Sequence, residues 1–231
     1  MRVLLFLLLS AASAPAAVTY SQLFTVNTVI PDNQIGGLLN TQTITTEITS
    51  ITAVNVTLNM SGGWNGDLYV YLAHDSGFTV LLNRIGSTSG DIFGSGSSGF
   101  SVTFGDDWDD VHTGAFDDGT PVSGFFSPDA RNVSPFSVTD ASNRTAFLSS
   151  FTGLNGGGTW ELFLADVSGG DVTTLNSWGL EISGIAEDPP EDPPETPTNN
   201  TNGSIPEPSV IVPFAALFVV ALSRRQRPAC S

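Results

Sequence analysis

The chain contains no lysine, one cysteine and two histidines in 231 residues. The lone thiol, Cys230, excludes an intramolecular disulfide, so a fold built from this sequence must stand on its apolar core. It also excludes a Cys/His metal cluster, and His74 and His112 lie far apart along the chain. Positive charge is scarce: 7 Arg stand against 23 Asp plus Glu, for a formal net charge of −16. Between Ala17 and Ile205 the bases are Arg84, Arg131 and Arg144 against 22 acids, a balance of −19. Such a surface repels nucleic acid and anionic lipid, since both need cationic partners. It suits solubility in a crowded or saline exterior, and equally the capture of cations, Ca²⁺ above all, where carboxylates converge. No stretch of the interior holds a sustained helical period, which argues against a helical domain.

What is present in quantity is Thr, Val, Phe, Ser and 24 Gly, a composition of strands and turns. Val54, Val56, Leu58 and Met60 alternate with Asn55, Thr57 and Asn59, the period of two that marks a strand with one buried face. The pattern returns at Leu68–Leu72, Phe78–Leu82, Phe100–Phe104, Trp160–Leu164 and Trp178–Ile182, with Gly/Asn/Asp/Ser turns between. Several short strands with irregular connections predict an all-β fold, a two-sheet sandwich over about residues 18–185.

The two ends read differently. Residues 1–16, MRVLLFLLLSAASAPA, have a basic start, a short apolar run and a small-residue cleavage pattern, which predicts a secretory signal peptide. Residues 186–205 hold five prolines and five acids without a base; such a segment cannot bury enough surface to fold and predicts an extended spacer. Residues 206–231 open on Pro206-Glu207-Pro208, continue through the apolar stretch 210–222 and close on Arg224, Arg225 and Arg227. Thirteen apolar residues in a helix cover only about 20 Å, against roughly 30 Å of hydrocarbon. The flanking arginines favour a cytoplasmic C-terminus. A plain C-terminal anchor and a glycolipid-anchor signal at Asn202-Gly203-Ser204 compete for this tail, the latter poorly, because such tails finish apolar. The three-part tail resembles the bacterial PEP-CTERM sorting signal. That resemblance implies an exosortase-type processing enzyme as partner, transient membrane anchoring, and delivery to the envelope, outer surface or extracellular matrix of a Gram-negative-type bacterium.

A second resemblance lies inside the domain. It is carried by Gly66-Asp67-Leu68-Tyr69-Val70, by Gly158-Thr159-Trp160-Glu161-Leu162, by Gly170-Asp171, and by Leu175-Asn176-Ser177-Trp178-Gly179-Leu180. This order resembles the P domain (P/Homo B domain) of proprotein convertases over roughly residues 50–184. The resemblance implies a jelly-roll β-sandwich of about eight strands, galactose-binding-like in class, and a stabilising partnership with a subtilisin-like serine endopeptidase. Only about thirty residues separate the signal segment from this stretch, so the expectation is a module without a catalytic domain of its own. On the residues alone, Asp67 fits a turn that accepts backbone N–H groups, and Trp160 and Trp178 fit core positions.

For chemistry the sequence offers little. No Gly-x-Ser-x-Gly elbow opens a helix, and Gly94-Ser95-Gly96-Ser97-Ser98-Gly99 reads as a flexible low-complexity loop. The candidate site is acidic: Asp106, Asp107, Asp109, Asp110, Asp117 and Asp118 fall within thirteen residues, enough oxygens for Ca²⁺ without the EF-hand spacing. A solvated acidic loop is the alternative. Asp166 and Asp171 are second-choice ligands. The expectation is thus an exported, non-catalytic binding or structural module whose ligand is carbohydrate or a secreted protease, with Ca²⁺ as the one candidate cofactor.

Overall fold

A computed structural model describes residues 16–186. The signal segment up to residue 15, the acidic spacer and the sorting tail with Pro206, Glu207, Pro208, Arg224 and Arg225 lie outside the described residues. Among the described residues no helix is long and apolar enough to cross a membrane.

The predicted all-β sandwich forms, with nine strands where about eight were expected. They are β1 (Ala17–Val29), β2 (Gln34–Ile44), β3 (Ile48–Gly62), β4 (Leu68–His74), β5 (Gly77–Asn83), β6 (Phe100–Phe104), β7 (Val122–Phe126), β8 (Gly158–Asp166) and β9 (Thr173–Ala186). One sheet has the order β1-β9-β3-β6-β7 and the other β2-β8-β4-β5. The alternating runs read from the sequence become the inward faces. Val54, Val56, Leu58 and Met60 from β3 meet Leu68, Val70 and Leu72 from β4 in one core, with Trp160 of β8 and Trp178 of β9 fully buried. Trp160 packs against Phe151 at 5.0 Å between ring centroids, and Trp178 against Phe24 at 4.8 Å. A core of this size replaces the disulfides that the sequence cannot make.

All strand pairs are antiparallel except β6 and β7. A parallel pair needs a return connection, and residues 105–121 supply it. That excursion carries the whole acidic loop. It also places Trp108, near its start, beside Phe125, close to the end of β7, with centroids 5.0 Å apart.

Candidate functional site

The most concentrated polar chemistry of the described residues is buried. His112 Nδ1 lies 2.7 Å from Asp129 Oδ2, and Nε2 lies 2.9 Å from the Ser87 carbonyl; neither side chain of the pair is exposed. The carbonyl can only accept, so Nε2 donates. Asp129 also accepts from the backbone N–H groups of Asn83 and Arg131 and from the Arg131 guanidinium, as an ionised carboxylate does. Burial, the largest single influence on His112, pushes its pKa down. The Asp129 hydrogen bond and charge, with the Ser87 carbonyl, outweigh burial, and the net shift is upward. Arg131 then reaches Asp110 at 2.9 Å, and Arg144 approaches the same carboxylate at 3.7 Å. A His–Asp pair invites a catalytic reading, but here it is sealed and every polar atom of the imidazole is occupied. The network cross-links β5 to the loops at 84–87, 110–113 and 127–131, which is structural work.

His74 is likewise committed. Its nitrogens face the carbonyls of Thr159 at 2.8 Å and Asn155 at 2.7 Å, and its ring stacks on Trp160 with centroids 4.1 Å apart. The sequence left both histidines unplaced; the fold uses His74 to tie the end of β4 to β8 and the loop at Asn155, and His112 to tie three loops together.

The six acids expected to converge are dispersed. Asp106 accepts the N–H groups of Leu148 and Ser149, capping the short 3₁₀ turn Leu148–Phe151. Asp110 caps His112 and binds the two arginines. Asp107, Asp109, Asp117 and Asp118 are exposed, and Asp118 lies beside Gly96 and Trp64, along a different depression. Among the described residues no three acidic, Cys or His side chains are arranged to hold a metal ion. Asp166 is buried near Asp67, Asp32 and Asp171. Burial, partly offset by the Ser168 N–H and augmented by those three charges, raises its pKa from 3.8 to about 6. Asp67 does not take turn N–H groups as the sequence suggested; its carboxylate meets Arg84 at 3.5 Å.

The Gly-Ser string also departs from expectation. Residues 94–99 are not a free loop but wrap around buried Asn65. Asn65 Nδ2 donates to Ser97 Oγ and the Gly99 carbonyl, and its Oδ1 accepts the Gly99 N–H. Glycine is required there for close approach: a Cβ on Gly66 would lie 2.3 Å from the Phe93 carbonyl oxygen. Low complexity hid a packed segment because the partner, Asn65, sits thirty residues upstream.

The feature the sequence reading missed is on the open face of the five-stranded sheet. The register aligns Leu23, Gly179, Thr57, Thr103 and Phe125 in one row across all five strands. Leu23 is 59% exposed at one edge and Phe125 64% at the other. In the adjoining row Ser21, Glu181 and Asn55 are aligned, and Asn55 donates to Glu181 at 3.0 Å. Trp108, 38% exposed, covers Gly105 beside Asn55. A Cβ on Gly105 would sit 2.8 Å from both the Trp108 ring and Asn55 Oδ1, so the missing side chain is what seats the indole. Two depressions of about 380 and 400 Å³ flank this point and share Asn55 and Trp108 in their walls. The result is a groove with hydroxyl and amide groups on its floor and aromatic rings on one wall. The one available signal was Trp108 itself, an aromatic set among four aspartates, where no core strand could bury it.

No family model matches this chain, and no curated protein matches it. Among solved structures it is similar to the serine protease of Aeromonas sobria. In that protein's complex with its chaperone the TM-score is 0.43 at 16% identity, over 77% of this chain. In the structure of the protease itself the TM-score is again 0.43 at 16% identity, over 75%. The chain spans 28% of the length of those protease chains.

Proposed function

We propose that this chain is an exported, non-catalytic module that works by binding, with the open face of the five-stranded sheet as its working surface. The observation that carries this reading is the exposed Trp108–Phe125 pair over a groove of unspent polar groups. Two large rings packed together at the surface, rather than scattered singly, form a contiguous apolar patch of the kind that marks an interaction site. The groups that acid–base or nucleophilic chemistry would use point the same way, because His112 and Asp129 are sealed and His74 is held by two carbonyls. The signal-like start and the Pro206-Glu207-Pro208, apolar, Arg224-Arg225 tail support delivery to the envelope or matrix through an exosortase-type enzyme.

The test is retention of purified domain on an envelope and matrix fraction from the producing cells. Wild type is expected to sediment with it and the Trp108→Ala/Phe125→Ala variant to stay in solution. Equal retention of the two would overturn the reading. A second reading, an accessory of a separate subtilisin-like endopeptidase, is favoured by the Gly158-Thr159-Trp160 and Leu175-Asn176-Ser177-Trp178 resemblance. It requires that the domain co-purify with such an enzyme or raise its melting temperature.

A further inference from the structure

We infer that the groove takes a neutral polysaccharide chain, laid across the strands with sugar rings packed on Trp108 and Phe125 and hydroxyls bonded to Asn55, Glu181, Thr57 and Thr103. The inference rests on the groove being the working surface and assigns the chemistry of its occupant.

Three features select that chemistry. First, a pyranose presents apolar C–H faces and polar hydroxyl edges, and the groove offers the complement of both: ring faces on one wall, and on the floor the short polar side chains Asn55, Thr57 and Thr103 with the Glu181 carboxylate. Second, the floor has hydrogen-bonding capacity to spare. Asn55 spends one N–H on Glu181, and its carbonyl oxygen accepts from no other described residue. Thr57 and Thr103 share a single contact at 3.4 Å, which leaves each hydroxyl free to bond again. The bonded Asn55–Glu181 pair sets a donor and an acceptor side by side, the pattern that two neighbouring sugar hydroxyls satisfy together.

Third, charge rules out the other polymers. The ionisable groups lining the two depressions are Asp106, Asp107 and Glu181, all acidic. The three arginines of the described residues are engaged elsewhere, Arg84 with Asp67, Arg131 and Arg144 with Asp110. An anionic polysaccharide or nucleic acid would meet only repulsion. A protein partner would find hydroxyls and a carboxylate where interface cores are apolar and depleted of charge. Length fits as well: five strands at the usual spacing give a row about 19 Å long from β1 to β7, room for a run of sugars and not a single ring.

The experiment is affinity electrophoresis of the domain through gels containing neutral polysaccharides (mixed-linkage β-glucan, mannan, galactomannan, arabinoxylan, dextran) or anionic ones (alginate, hyaluronan), at low and high salt. Wild type is expected to be retarded in at least one neutral gel, independently of salt. Trp108→Ala should weaken that affinity about tenfold or more, with unchanged melting temperature to show that it folds. Retardation only in anionic gels, or retardation abolished by salt, would overturn the assignment. So would free migration in every gel while Trp108-dependent retention on the envelope fraction persists; that combination leaves the groove standing and gives it a protein ligand. Loss of the Trp108 dependence of envelope retention is the separate result that removes the groove.

Discussion

Replacing Asp166 by Asn should stabilise this domain at neutral pH and do nothing in acid. Asp166 is 1% exposed, and its carboxyl is held up at about 6 from an ordinary 3.8, by burial first and then by the charges of Asp67, Asp32 and Asp171. Between those two pH values the folded state holds a proton that the unfolded state has released. Stability therefore falls as pH rises through that window, and the full penalty is present above it. At ~1.36 kcal/mol per pH unit the displacement is worth about 3 kcal/mol at pH 8. Asn keeps an oxygen for the Ser168 N–H and never ionises, so it removes the penalty without losing that bond. For a domain of this size the gain is ~6–12 °C in melting temperature. Thermal and urea unfolding of wild type and Asp166→Asn at pH 3.5, 5, 7 and 8 measure it. The difference should be near zero at pH 3.5 and grow to its maximum above pH 6. A variant less stable than wild type at pH 8, or a difference that ignores pH, would refute the reasoning.

His112 shifts stability in the same direction as Asp166, in the histidine range: each folded group holds a proton that the unfolded chain releases, so stability falls as pH rises. Its folded pKa is raised, so its contribution is complete below the ordinary histidine range near 6.5 and is lost as pH rises through the folded value. His112→Gln should cost ~1.5–3 kcal/mol at pH 6, the worth of one hydrogen bond to a charged group, because Asp129 loses its imidazole donor but keeps Arg131 and two backbone N–H groups; the deficit should shrink at higher pH in urea titrations. Gly105→Ala should unseat the Trp108 indole and cut polysaccharide retardation about tenfold, while chemical denaturation changes by ~1 kcal/mol or less. With Asp106 and Asp110 committed to protein groups, Ca²⁺ or a chelator should move the melting temperature by less than ~1 °C; a shift of several degrees would mean that the 106–118 loop closes around an ion.

The core was legible wherever strands bury one full face. The runs at 54–60, 68–72 and 178–182 alternate cleanly because they face a core. Edge strands β1, β2 and β7 leave both faces partly exposed, so their alternation is diluted and the sequence did not single them out. The acidic loop was legible as composition but not as geometry, since Asp106 and Asp110 take partners some twenty to forty residues away. The groove was least legible of all. Leu23, Thr57, Thr103, Phe125 and Gly179 come from five separate strands, and only register, set by long-range pairing, puts them in one row.

The central claim, that this row is where the protein binds, is tested most directly by NMR of the isotopically labelled domain titrated with a neutral polysaccharide that retards it. Shifts are expected at Leu23, Asn55, Thr57, Thr103, Trp108, Phe125 and Gly179, with the indole N–H of Trp108 moving and those of buried Trp160 and Trp178 still. Perturbations confined to the β2-β8-β4-β5 sheet, or none on the five-stranded face, would contradict it.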